Sequence, residues 1–101
     1  MANTYSQLYI HLIFAVHGRQ NLIPTDKKEE LQKYISGIIK KAGCKQLANN
    51  NMPDHFHVFV GLNPDISISS LVEKIKSNSS KWINENKFIY GKFSWQRGYG
   101  A

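Results

Sequence analysis

The sequence predicts an α+β fold of the ferredoxin-like type, βαββαβ, with a four-stranded antiparallel sheet and two helices on one face. Three observations carry this. Residues 7–16 alternate in a two-residue period. Two later stretches keep helical spacing. A second strongly apolar strand pattern, residues 55–62, lies between those helices. The chain has 101 residues, which suits a single domain spanning 1–101.

In the first strand, Leu8, Ile10, Leu12, Phe14 and Val16 share one parity and form the core stripe. Tyr9, His11, Ile13 and Ala15 line the other side, also largely apolar, as expected of a central strand. Pro24 and Asp26 announce the first helix, with Asp26 and Glu29 at capping-box spacing. Leu31, Tyr34, Ile35, Ile38, Ile39 and Ala42 fall three and four apart on one helical face, and Gly43 ends it.

Residues 45–49 form a weak second strand, and residues 50–54 a turn rich in Asn, Pro and Asp. The third strand runs over 55–62. The second helix opens near Ser67 or Ser70, either of which can cap it. Ile68, Leu71, Val72, Ile75, Trp82 and Ile83 make its buried face, while Lys74, Lys76, Ser77, Asn78, Ser80 and Lys81 lie on the exposed side. Residues 92–96 are expected as a short fourth strand. Right-handed crossovers then set the first and third strands side by side in the middle of the sheet.

Composition narrows the function. Thirteen Lys and Arg oppose seven Asp and Glu, a net charge of +6 that favours phosphate-bearing partners. No apolar run approaches the ~20 residues of a membrane helix, and the polar start makes a poor secretory signal. Cys44 is the single cysteine, which excludes an internal disulfide and a cysteine-based zinc site. A cytoplasmic protein is expected.

The most informative segment is Met52-Pro53-Asp54-His55-Phe56-His57-Val58-Phe59-Val60. Residues two apart in a strand point the same way, so His55 and His57 share a face, while Phe56, Val58 and Val60 point into the core. Two imidazoles at that spacing can share one divalent metal and leave most of its coordination shell open, as a catalytic metal needs. The competing reading is two solvated strand histidines. His11, on the non-core parity of the first strand, can face the same pocket. Asp54 can orient His55 or simply form the turn.

These residues resemble the single-tyrosine HUH (His-hydrophobic-His) transposases of the smallest bacterial insertion sequences. The resemblance covers essentially the whole chain. It rests on Ile10-His11-Leu12-Ile13-Phe14, on Pro53-Asp54-His55-Phe56-His57, on Ser67-Ile68-Ser69-Ser70-Leu71-Val72, on Lys76-Ser77-Asn78-Ser79-Ser80-Lys81-Trp82-Ile83 and on Phe93-Ser94-Trp95-Gln96-Arg97-Gly98-Tyr99-Gly100-Ala101. It implies cleavage and rejoining of hairpin-bearing single-stranded DNA through a phosphotyrosine intermediate, by a homodimer. It implies Mg²⁺ or Mn²⁺ as cofactor, with His55 and His57 as the metal ligands.

The resemblance also places the nucleophilic tyrosine on a helix beyond the last strand. None of Tyr5, Tyr9, Tyr34, Tyr90 and Tyr99 matches that position, so no catalytic residue is assigned, and this chain is expected to bind metal and DNA without efficient cleavage. With that helix missing, an apolar patch around Phe93 and Trp95 is expected at the surface, favouring association.

Arg19, Lys74, Lys81 and Arg97 are the candidate DNA phosphate contacts, Lys74 and Lys81 sharing a helical face. The polar run at Ser77-Asn78-Ser79-Ser80, poor in helix formers, is a further candidate surface. The alternative function is a non-catalytic RNA- or DNA-binding ferredoxin-like domain, since RNA-recognition sheets carry paired aromatics on their central strands. A metal-binding or interaction domain without nucleic acid is a further rival.

Overall fold

A computed structural model describes residues 8–19, 23–87, 89 and 91–100, with the side chains of Leu8 and Arg19 outside that set. Strand β1 is Leu8–Ala15, helix α1 Lys28–Lys41, strand β2 Lys45–Met52, strand β3 His55–Leu62 and helix α2 Ile68–Glu85. The strands form one antiparallel sheet in the order β1-β3-β2. Strand β3 is therefore central, with β1 beside it as the crossover rule requires.

The period-two stripe is the core. Leu12, Phe14 and Val16 from the first strand and its end meet Phe56, Val58 and Val60 from β3, all fully buried. Leu31, Ile35 and Ile39 of α1 and Leu71, Val72, Ile75 and Ile83 of α2 close over them. Both helices thus cover one side of the sheet. Tyr34 and Trp82 stack between them, ring centroids 4.2 Å apart and nearly parallel. Burying these side chains supplies the main driving force, each worth about 1.5–3 kcal/mol.

Four local expectations are corrected. The fourth strand does not form as one. Residues 94–100 run along the free edge of β1 through two isolated bridges, Val16 to Trp95 and Ile13 to Gly100. Backbone bonds from Gln96 N to Ala15 O (2.7 Å) and from Gly100 N to Ile13 O (2.9 Å) hold the segment. Between the bridges the segment contains two more residues than β1, and Gly98 turns there at φ 78°, so a continuous ladder is interrupted.

Second, β2 is longer than its alternation suggests. It shifts register between Gln46 and Ala48, so Leu47 is an additional residue, a β-bulge that hides the period. The strand continues through Asn50, Asn51 and Met52, and Pro53-Asp54 alone makes the turn, a tight two-residue hairpin.

Third, Asp26 does not cap α1. Residues Thr25–Lys27 form a 3-10 turn leading into the helix, with no side-chain cap. The start is tied down from β2 instead, where buried Asn51 donates Nδ2–H to Lys28 O at 3.1 Å. At α2, by contrast, Ser67 Oγ accepts from Ser70 N at 3.1 Å, an N-cap from the first of the two candidates.

Fourth, Phe93 and Trp95 are buried, not exposed. Among the described residues, the exposed large apolar side chains are Tyr9, Leu47, Met52, Phe59 and Tyr99.

Candidate metal and nucleic-acid site

The pleat of β3 does what the spacing predicts. Phe56, Val58 and Val60 face the helices, and His55 and His57 stand together on the opposite, uncovered face of the sheet. Their rings lie 4.6 Å apart, edge to face, and both are half-buried. In register, His55 faces Ala15 and His57 faces Ile13 on β1, while Met52 and Asn50 flank them on β2.

Each ring is held through Nδ1. His55 Nδ1 lies 2.6 Å from Asp54 Oδ1. An ionised carboxylate only accepts, so the Nδ1–H of His55 donates to it, leaving Nε2 as the nitrogen that faces away from Asp54. His57 Nδ1 lies 3.0 Å from Nε2 of His11, and those two rings stack at 5.1 Å. The sequence offers both neighbours without deciding their roles. The geometry joins both to the cluster.

Burial pushes the His57 pKa below its ordinary 6.5, and the adjacent His55 and His11 push it the same way. A ring kept neutral is the form that binds a cation.

Among the described residues, no group of three or more His, Cys, Asp or Glu side chains is arranged to hold a metal ion. The donors that the histidine pair could offer an ion are two imidazole nitrogens. That set fits a divalent ion whose other positions are open to water or phosphate oxygen, and does not fit a closed structural zinc. His11 cannot serve as a ligand through Nε2 while that atom is bonded to His57.

The candidate phosphate contacts separate into two layers. Arg97 lies beside Ile13, Ala15, Tyr99 and Gly100 in a shallow depression of about 510 Å³ at the β1 edge, near the histidine face. Lys74 lines a groove of about 520 Å³ between α1 and α2 with Lys33, Lys41 and Asn78, on the helical layer. Lys81 is exposed on α2. The side chain of Arg19 lies outside the described residues.

The polar run in α2 turns largely inward on its own helix. Ser77 Oγ donates to Glu73 O, Asn78 Nδ2 to Lys74 O and Ser79 Oγ to Ile75 O. Ser79 is fully buried and accepts the indole N–H of Trp95 at 2.9 Å. Helical periodicity puts Lys76 on the exposed side. It is half-buried, its ordinary pKa lowered by that burial, and its Nζ donates to Gln96 O and Gly98 O. Helical spacing alone gives no signal for this clamp, because its partners lie about twenty residues later.

Comparison with known proteins agrees with this architecture. The family described as "Transposase IS200 like" matches residues 4–101. The ISDra2 transposase TnpA of Deinococcus radiodurans is 27% identical over 75 residues, covering 74% of this chain and 54% of that protein. The chain thus spans about half the length of that relative. The transposase for insertion sequence element IS200 of Salmonella typhimurium is 25% identical over 104 aligned residues, covering 98% of this chain and 68% of that protein.

Two solved structures share the fold. A crystal structure of a candidate transposase from Deinococcus radiodurans superimposes with a TM-score of 0.86 at 24% identity, covering 99% of this chain and 82% of that one. A REP-associated tyrosine transposase bound to a REP hairpin gives 0.67 at 18% identity, covering 98% and 60%. With nearly the whole sequence matched and the histidine pair standing on the open face of the central strand, this chain belongs to the IS200-like transposase family.

Proposed function

We propose that this chain binds hairpin-bearing single-stranded DNA and a divalent cation on the uncovered sheet face, as part of strand cleavage and rejoining through a phosphotyrosine intermediate. The observation that carries the reading is the pair of imidazoles on β3, each with Nδ1 engaged, by Asp54 and by His11. Their Nε2 atoms are the remaining donors, and His55 and His57 would hold the ion there. Mg²⁺ or Mn²⁺, when bound, supplies Lewis-acid charge to a phosphate oxygen.

The chain's own groups do the rest. His55 and His57 would hold the ion through ring nitrogens not engaged by Asp54 and His11. Arg97, at the adjoining edge, binds and orients a backbone phosphate. Lys74 and Lys81 on α2, on the helical layer away from the histidines, and Arg19 remain proposed phosphate contacts for a nucleic acid that reaches beyond the sheet face. The REP hairpin carried by one structural neighbour supports a hairpin partner.

Tyr34 stacks on Trp82 between the helices, and Tyr9 stands beside Phe59 beyond His11. That the polypeptide by itself leaves the strand uncut is proposed from the family resemblance, in which none of its tyrosines matches the nucleophile's position. A homodimer, which the family resemblance implies, is proposed as the working form. No described helix is long and apolar enough to cross a membrane, and a DNA partner suits the cytoplasm.

The test is binding of hairpin-bearing single-stranded oligonucleotides across a salt series, with and without Mn²⁺. Affinity falls steeply with salt, by about 0.7 in log–log slope for each phosphate contact. Equal affinity at low and high salt refutes the reading. A covalent adduct with the oligonucleotide on a denaturing gel refutes the expected lack of cleavage.

One observation favours a second reading. Tyr9 and Phe59 are exposed neighbours on β1 and β3, 6.2 Å apart, a pair on which unpaired RNA bases could stack. Stronger binding to an RNA hairpin than to the DNA hairpin of the same sequence, with no response to Mn²⁺, would favour it.

A further inference from the structure

The two histidines of β3 are supported in parallel ways, and only one support is adjacent in sequence. Asp54 precedes His55 and holds its Nδ1. His57 has no such neighbour along its own strand. Its Nδ1 is met from β1 by His11, whose register partner is Phe59, so that His11 reaches His57 diagonally across the sheet. The side chain of His11 is exposed and takes no part in the core.

A bond between two imidazoles has a direction, because one nitrogen gives a proton and the other a lone pair. If His57 Nδ1 accepted, the neutral ring would carry its proton on Nε2, and that nitrogen would be closed to a cation. If Nδ1 donates, Nε2 is open. Metal-binding histidines characteristically donate their second N–H to an acceptor that fixes ring and tautomer. Asp54 imposes that arrangement on His55.

We infer that His11 is the positioning residue for His57: its Nε2 accepts the Nδ1–H of His57 and holds that ring with Nε2 free for a divalent cation. His11 then carries its own proton on Nδ1. It is not a third ligand, in keeping with the two-nitrogen donor set. The inference rests on the metal reading proposed above for His55 and His57.

The experiment uses the whole 101-residue chain. Nitrogen-15 NMR of the histidine rings, without metal, reports which nitrogen of His57 is protonated. Mn²⁺ affinity is measured separately by electron paramagnetic resonance. The wild type shows His57 protonated at Nδ1. His11→Phe keeps a ring against His57 but offers no acceptor. It shifts the tautomer toward Nε2–H and weakens Mn²⁺ binding about ten- to hundredfold. His11→Gln, whose amide oxygen can accept, restores most of both.

A wild-type His57 protonated at Nε2 overturns the inference. So does a His11→Phe protein with unchanged tautomer and Mn²⁺ affinity. A wild type that binds no Mn²⁺ overturns the metal reading, and with it the role of His11 toward a cation. The metal-free tautomer then still decides the direction of the His11–His57 bond, which separates the two failures.

Discussion

The indole Nε1–H of Trp95 donates to the hydroxyl of Ser79 at 2.9 Å, deep between α2 and the segment that follows it. Ser79 in turn donates to Ile75 O. One hydroxyl thus satisfies a buried indole and ties residues 93–96 to the helix. Ser79→Ala removes the acceptor and leaves the indole N–H unpaired, at a cost of about 1–3 kcal/mol. The urea midpoint should fall accordingly. An unchanged midpoint would show that the bond does not hold the segment.

Asp54 supports His55 as His11 supports His57. Asp54→Ala removes the acceptor at Nδ1 while leaving the ring in place, so Mn²⁺ affinity should fall about ten- to hundredfold. Calorimetric titration of the variant against the wild type checks this. Equal affinities would mean that the hairpin turn, and not the carboxylate, orients the ring.

The stability of the metal-free protein should depend on pH through His57. Its folded pKa is below the ordinary 6.5, which stands for the unfolded chain. As pH falls, the unfolded chain takes up its proton first, so the ring's contribution is intact above 6.5 and declines through and below that value. Denaturation midpoints between about pH 5 and 8 should fall toward acid, and His57→Gln should flatten that part of the slope. A variant with the same slope as wild type would contradict the assignment.

Lys76 clamps two carbonyls of the edge segment. Lys76→Met keeps the stem but loses both bonds, at about 1 kcal/mol. Hydrogen exchange should accelerate at the amides of Gln96 and Gly100, which bond to β1, more than in the centre of β3. Uniform acceleration throughout would place the effect elsewhere.

Much of this molecule is legible in its sequence, for identifiable reasons. The parity of Leu12, Phe14 and Val16 and the helical spacing of Leu31, Ile35 and Ile39 are direct images of burial on one face. The same parity rule sets His55 and His57 side by side. What stayed hidden depends on partners distant in sequence or on irregular backbone. Ser79 looks like a poor helix former until Trp95 is seen to need it. Lys76 looks solvated until residues 96–98 come alongside. The role of His11 needs the β1–β3 register, which parity does not give.

Leu47 shows how a residue can enter a strand without disturbing its faces. Its neighbours Gln46 and Ala48 pair with Val60 and Phe59, which are consecutive on β3, so the alternation on either side is that of an unbroken ladder. Asn51 reaches inward to α1, and Asn50 and Met52 flank the histidines, through their own pairing with Phe56, His57 and His55 next to the tight turn. Deleting Leu47 would close the bulge and straighten the start of β2 while leaving the surroundings of the imidazoles in place.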